Sequence, residues 1–164
     1  MTQTEAIENK ILSDKNLEKR IEDWRSRKLK IVFTNGCFDL LHLGHVDYLA
    51  KAADAGDRLI IGVNTDASVH RLKGRNRPLQ DESSRLHILA SLQMVDAVIL
   101  FDEDTPYNLI SRVQPDILVK GADYTVEDIV GYDIVMKRGG KVMTLEYLAG
   151  YSTTAIEQRI LNSK

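Results

Sequence analysis

The sequence predicts an α/β fold: one doubly wound parallel sheet in a single domain, preceded by a helical N-terminal extension. Three observations carry that expectation. Five short apolar runs, several of them β-branched, recur after residue 28. Amphipathic stretches of helical period lie between them. No internal repeat or low-complexity linker divides the 164 residues, a length usual for one domain. Near-continuous apolar strands alternating with helices indicate a sheet covered on both faces and built from right-handed βαβ units.

In chain order, residues 1–28 are polar with a helical rhythm. Leu17, Ile21 and Trp24 fall at i, i+4 and i+7, with Ser13 as the expected N-cap. This extension is expected to pack on the domain or a partner subunit through that stripe. The domain proper covers 29–164. Its strands are expected at Leu29–Thr34, Arg58–Val63, Ala97–Phe101, Ile117–Val119 and Lys141–Leu145. Helices are expected at His45–Ala55, with Val46, Leu49, Ala50 and Ala53 on one face, and at Ser83–Met94, Tyr107–Val113 and Thr154–Leu161. Ligands bind such sheets beyond the carboxyl ends of their strands.

Composition narrows the function. Hydrophobic residues at 43% and charged residues at 28% describe a globular chain with a core. A net charge of -2 provides no broad basic field, so nucleic acid is not an expected partner. The single cysteine, Cys37, excludes an intrachain disulfide and a cysteine-rich metal site. No apolar run approaches the roughly 20 residues of a membrane helix, and the polar N-terminus lacks a signal-peptide core. A cytoplasmic location is expected.

Four segments carry chemistry. The first strand runs into Asn35-Gly36-Cys37-Phe38-Asp39-Leu40-Leu41-His42-Leu43-Gly44-His45, and a helix follows at once. Gly36 and Gly44 permit close backbone approach, and a helix N-terminus offers free N–H groups to phosphate. His42 and His45, three apart, share one face and can donate to phosphate oxygens. Zinc is the rival for this pair, but a third ligand is missing. Arg71-Leu72-Lys73-Gly74-Arg75-Asn76-Arg77-Pro78 reads as a basic loop, either phosphate-binding or simply solvated. Lys120-Gly121-Ala122-Asp123 ends a strand, where a carboxylate can accept ribose hydroxyls or cap a helix. Ser152-Thr153-Thr154 opens the last helix; Thr154 with Glu157 forms a capping-box pattern, and three hydroxyls exceed what capping needs. His70 and His87 have no companion motif, and Cys37 reads as a small packed thiol.

His42-Leu43-Gly44-His45 resembles the His-x-Gly-His signature of the cytidylyltransferase-like nucleotidyltransferase superfamily. Class I aminoacyl-tRNA synthetases carry a related motif, but their Lys-Met-Ser-Lys-Ser loop is absent. The stretch Asn35–Asp39, the Arg-Leu-Lys-Gly run and Lys120-Gly-x-Asp123 are similar to the heptose 1-phosphate adenylyltransferases, including the nucleotidyltransferase half of ADP-heptose synthases. The segment Ser152–Thr154 resembles the superfamily's second signature. The resemblance implies a Rossmann-like fold and the reaction of ATP with D-glycero-β-D-manno-heptose 1-phosphate to ADP-heptose and pyrophosphate, with no covalent enzyme intermediate. It implies catalytic roles for His42, His45 and Lys73. Asn35, Gly36, Phe38, Gly44, Gly121, Asp123, Ser152, Thr153 and Thr154 are implied to bind nucleotide. Asp39, Arg77, Arg85 and Lys120 are implied to bind phosphate or acceptor. Mg²⁺ on the triphosphate is expected of phosphoryl transfer, with no dedicated metal motif on the chain. The expected partners are ATP, a sugar phosphate and further copies of the chain. A cytidylyltransferase for glycerol 3-phosphate or another polyol phosphate, and a non-catalytic nucleotide-binding module, are the alternatives.

Overall fold

A computed structural model describes residues 1–163. Six strands form one sheet: β1 (Ile11–Leu12), β2 (Ile31–Gly36), β3 (Arg58–Asn64), β4 (Ala97–Phe101), β5 (Ile117–Gly121) and β6 (Lys141–Leu145). Their order is β1-β4-β3-β2-β5-β6, and every neighbouring pair is parallel. The chain winds outward from β2 through β3 to β4, then returns to the other side of β2 as β5. A topological switch point therefore lies between the carboxyl ends of β2 and β5, where such sheets bind ligands.

The helices are α1 (Gln3–Glu8), α2 (Leu17–Ser26), α3 (Leu43–Ala53), α4 (Asp66–Lys73), α5 (Glu82–Ser91), α6 (Tyr107–Val113), α7 (Tyr132–Lys137) and α8 (Thr153–Leu161). Alternate strand residues feed two cores, as the two-residue period of a strand requires. Ile31, Phe33, Ile60, Ile99 and Leu118 pack with Leu17, Ile21 and Trp24 of α2, Leu109, Ile110 and Val113 of α6, and Val135 of α7. Val32, Leu59, Ile61, Val98 and Val119 pack with Tyr48 and Leu49 of α3 and Leu86 and Leu89 of α5. Helices on both faces make the sheet doubly wound and Rossmann-like.

Several elements differ from the sequence expectation, each for a local reason. β2 starts at Ile31 because the Leu29 amide still bonds the Trp24 carbonyl. It continues through Asn35 and Gly36, which pair with Gly62 and Val63 of β3. β5 likewise extends to Gly121, opposite Leu145. Residues 1–28 supply an edge strand as well as helices, with Ile11 and Leu12 beside Val98 and Ile99. The N-cap of α2 is Asn16, not Ser13; the Asn16 side chain instead accepts from the Ser13 amide. The buried face of α3 is Gly44, Tyr48, Leu49 and Ala52, rotated from the expected one. Tyr48 can be buried because its hydroxyl meets Thr34 Oγ1 at 2.8 Å and donates to the Val119 carbonyl at 3.2 Å. The first half of the expected basic loop, Arg71–Lys73, is the last turn of α4, which Thr65 caps through the Ser68 amide.

Candidate active site

At the switch point the strand–helix turn after β2 is fixed from several sides. Phe38 holds a left-handed backbone (φ 50°), a conformation that costs energy outside glycine. Its ring lies against Gly36 and 5.4 Å from the His45 ring. His42 is the N-cap residue of α3, and its ring stacks on His45 at 3.9 Å with an interplanar angle of 28°. Gly44 lies beneath His42: a Cβ there would come within 2.9 Å of the imidazole. No other residue type allows that placement of the ring.

The electrostatics of the pair suit an anion. The His42 backbone amide donates to His45 Nδ1 at 3.4 Å, which places a neutral His45's proton on Nε2. Burial, then His42 and Lys73, push His45 down to about 4, and burial lowers His42 as well. Both rings are therefore neutral N–H donors near pH 7. His42 Nδ1 and Asn35 Oδ1 are buried without a hydrogen-bond partner. Buried polar atoms of this kind mark a place where a ligand or water completes the bonding.

The strand β5 brings the second wall. Lys120 lies 5.3 Å over the Tyr124 ring, and burial lowers its ammonium, partly opposed by Asp123. Neither Lys120 nor Lys73 has an ion-pair partner among the described residues. A desolvated cation such as Lys120 favours an incoming anion. Asp123 is exposed and accepts from the Tyr147 hydroxyl at 3.3 Å.

The start of α8 meets the start of α3: a Cβ on Gly44 would lie 3.4 Å from Tyr151 Cβ. Ser152 caps α8 by accepting from the Ala155 amide at 3.0 Å, and Thr153 and Thr154 occupy the first turn. The expected Thr154–Glu157 capping box does not form. Glu157 instead pairs with Arg77.

Three expected phosphate or acceptor contacts take other partners. Arg85 is buried, with 1% of its surface exposed. Its Nε donates to the Gln80 carbonyl, Nη1 to the Cys37 and Asn64 carbonyls, and Nη2 to Asp66. It ties the loop after β2 to β3 and α4 and has no face left for a substrate. Asp39, also buried, accepts from the Leu79 and Gln80 amides at 2.8–2.9 Å; a carboxylate so engaged anchors a loop. Arg77 lies between Asp39, at 3.6 Å, and Glu157, so it is not a free cation. Cys37 is half-buried and burial pushes its thiol up, away from the thiolate that nucleophilic chemistry needs.

Two stacked imidazole donors at a helix N-terminus, with two lysines free of ion pairs at the same Rossmann-like switch point, are an arrangement able to take an anion. Residues 33–159 match the family described as Cytidylyltransferase-like. The chain belongs to that family.

Within the cytidylyltransferase-like family, the chain is similar to the bifunctional protein HldE of Nitrobacter hamburgensis, 53% identical over 94% of this chain and 32% of that protein. It is 56% identical to the HldE of Caulobacter vibrioides over 96% of this chain and 33% of that one. The HldE of Caulobacter sp. K31 is 60% identical over 85% and 29%, respectively. The chain thus spans about a third of the length of these relatives. Among solved structures, a lipopolysaccharide core biosynthesis protein from Thermoplasma volcanium matches at 33% identity and a TM-score of 0.60, over 73% of this chain and 97% of that one. A pantoate-β-alanine ligase from Francisella tularensis, at 18% identity and a TM-score of 0.55, covers 94% of this chain and 79% of that one and shares the fold.

Sequence reasoning missed Tyr147 and the buried role of Arg85. The Arg85 role had no local signal, since its four acceptors come from three separate segments. Tyr147 had a weak one: it is an aromatic two residues beyond the carboxyl end of β6. Among the described residues no helix is long and apolar enough to cross a membrane.

Proposed function

We propose that this chain is an adenylyltransferase that transfers AMP from ATP to D-glycero-β-D-manno-heptose 1-phosphate, giving ADP-heptose and pyrophosphate. The observation that carries the reading is the stacked, neutral His42–His45 pair at the N-terminus of α3, flanked by Lys73 and Lys120 without carboxylate partners. The names of the relatives, bifunctional HldE proteins and a lipopolysaccharide core biosynthesis protein, support a sugar phosphate as acceptor. The Asn35–Asp39, Arg71–Gly74 and Lys120–Asp123 segments support a heptose over a polyol.

In this reading the β- and γ-phosphates rest on the amides and hydroxyls at the start of α8, Ser152–Thr154. Asn35, Gly36, Phe38 and Gly44 shape the approach to the α-phosphate, and Gly121 with Asp123 takes the ribose. Lys120 holds the acceptor's phosphate beside the α-phosphorus. A phosphate oxygen of the acceptor attacks that phosphorus in line; the bond to the bridging oxygen breaks, and its electron pair leaves on pyrophosphate. His45 Nε2–H and His42 donate to the oxygens that gain charge, and Lys73 neutralises the leaving group. No side chain needs to become a nucleophile.

Mg²⁺ bound to the triphosphate would supply charge neutralisation for the leaving pyrophosphate. Among the described residues no cluster of three His, Cys, Asp or Glu gathers as a metal site, so phosphate oxygens would supply most of the ligands. A cytoplasmic homo-oligomer fits this reading: ATP is the donor, and Ile160 and Leu161 leave an apolar surface on α8 exposed.

The test is pyrophosphate release with ATP, CTP and GTP crossed against heptose 1-phosphate and glycerol 3-phosphate. Turnover is expected with ATP and the heptose. Turnover confined to CTP and glycerol 3-phosphate makes the chain a polyol-phosphate cytidylyltransferase, and nucleotide binding without any turnover makes it a binding module.

A further inference from the structure

We propose that Tyr147 is a gate over the nucleoside pocket, closed in the free protein and displaced when a nucleotide enters. The inference rests on the nucleotide reading given above for Gly121 and Asp123. Tyr147 stands in the loop after β6 and lies across the carboxyl end of β5. A Cβ built on Gly121 falls on the Tyr147 hydroxyl and its ring. Gly121 has no left-handed backbone to explain it, so the absent side chain serves the close approach of this tyrosine. A ligand that used the same bare backbone would have to take the tyrosine's place.

The hydroxyl reinforces the closure. It donates to Asp123 Oδ1 at 3.3 Å, the carboxylate assigned to the ribose hydroxyls. One tyrosine therefore occupies both the floor and the polar anchor of the pocket. Its back rests on Tyr48, whose ring lies 6.1 Å away at 25° and is itself pinned by Thr34 and the Val119 carbonyl. Away from Tyr48 the tyrosine is open to solvent, with 58% of its surface exposed. Burial first, and the Asp123 carboxylate beside it, push the phenol up to about 12, so it stays a donor at neutral pH. A closed gate would keep Asp123 from pairing with Lys120 when no nucleotide is present.

The experiment measures ATP association by stopped flow, equilibrium affinity by calorimetry, and kcat and KM by pyrophosphate release, for wild type, Tyr147→Phe and Tyr147→Ala. Thermal melts of all three confirm folding, which substitution of a half-open loop residue should leave intact. Tyr147→Phe cuts the tie to Asp123 and is expected to raise the association rate and tighten binding about threefold to tenfold, the scale of one hydrogen bond that the ligand no longer breaks. Tyr147→Ala removes the obstruction as well and is expected to do at least as much. In both variants KM falls while kcat changes little, a split that a merely structural residue would not give. Weaker binding or slower association in either variant overturns the gate and makes the ring a support for the nucleotide. Unchanged rates with normal wild-type binding remove the gate alone. No ATP binding by any of the three removes the gate together with the nucleotide reading.

Discussion

The His42–His45 turn and the basic segment Arg71–Pro78 both serve phosphate in the proposed reaction, yet they are held in opposite ways. The turn is pinned by the strained Phe38, the stacked rings and the bare Gly44 beneath them. The basic segment is mostly exposed, and two of its three arginines are paired with carboxylates: Arg71 with Asp104 at 3.1 Å, Arg77 with Asp39 and Glu157. Transition-state stabilisation depends on donors that need not reorganise. Capture and release of a polyanion depend on cations that can change partner. In the proposed reaction these tasks divide between a fixed turn and an adaptable one.

Arg85 is the joint between the two regions, and removing it should give the largest effect. Arg85→Ala leaves the Cys37 and Asn64 carbonyls and Asp66 without their donor. Breaking a buried charged network of this type costs about 3–5 kcal/mol. The expected outcome is a large fall in the urea midpoint. A loss below about 1 kcal/mol, within the range of an exposed pair, together with raised KM for acceptor, would return Arg85 to the ligand.

The fixed turn should show the complementary behaviour. His45→Ala is expected to lower kcat at least about a hundredfold, the scale of losing one transition-state donor, while thermal stability changes little. A variant with near-normal kcat would remove the histidine pair from the centre of the mechanism.

These two residues also show what was legible in the sequence. His42, Gly44 and His45 are neighbours in the chain, so their spacing and the strand before them point directly to a tight strand–helix turn carrying two imidazoles. Five of the six strands were legible for the same reason: they are local apolar runs, and parallel order follows from alternation with helices; the two-residue edge strand β1 was too short to leave such a run. Arg85, Asp39 and Arg77 were not legible, because all of their partners except Gln80 of Arg85 lie 19 to 80 residues away in the chain. Arg85 meets Asn64 and Cys37; Asp39 meets Leu79 and Gln80; Arg77 meets Glu157. A basic residue near a phosphate motif reads identically whether it faces the ligand or a carboxylate. Helix α4 was hidden by its own charges, since Arg71 and Lys73 suggested a loop where Thr65 in fact caps a helix.

The adaptable segment can be tested through the carboxylate that holds it. Glu157→Gln removes the partner of Arg77 and a negative charge near the start of α8. If Arg77 changes partner to meet the triphosphate, this variant binds ATP several-fold more tightly, with melting temperature lowered only slightly. Arg77→Ala should do the reverse. Equal ATP affinity in wild type and both variants would leave Arg77 as a structural link between Asp39 and Glu157.

The smallest effect separates the two regions by protons. Burial, His42 and Lys73 hold His45 down to about 4, below its ordinary 6.5. Between those values the unfolded chain binds more protons than the folded one, so stability falls as pH drops through that window. A bound triphosphate acts in the opposite sense, because an adjacent anion favours the charged imidazole. Nucleotide binding should therefore take up a fraction of a proton near about pH 5.5, and affinity should rise as pH falls. Calorimetry of MgATP binding in two buffers of different ionisation enthalpy measures that uptake, and His45→Ala subtracts whatever the nucleotide itself contributes. Lys73→Ala, on the adaptable side, should retain most of the uptake, since His45 and the burial that chiefly lowers it both remain. Equal uptake in wild type and His45→Ala would mean that the anion never reaches the fixed turn.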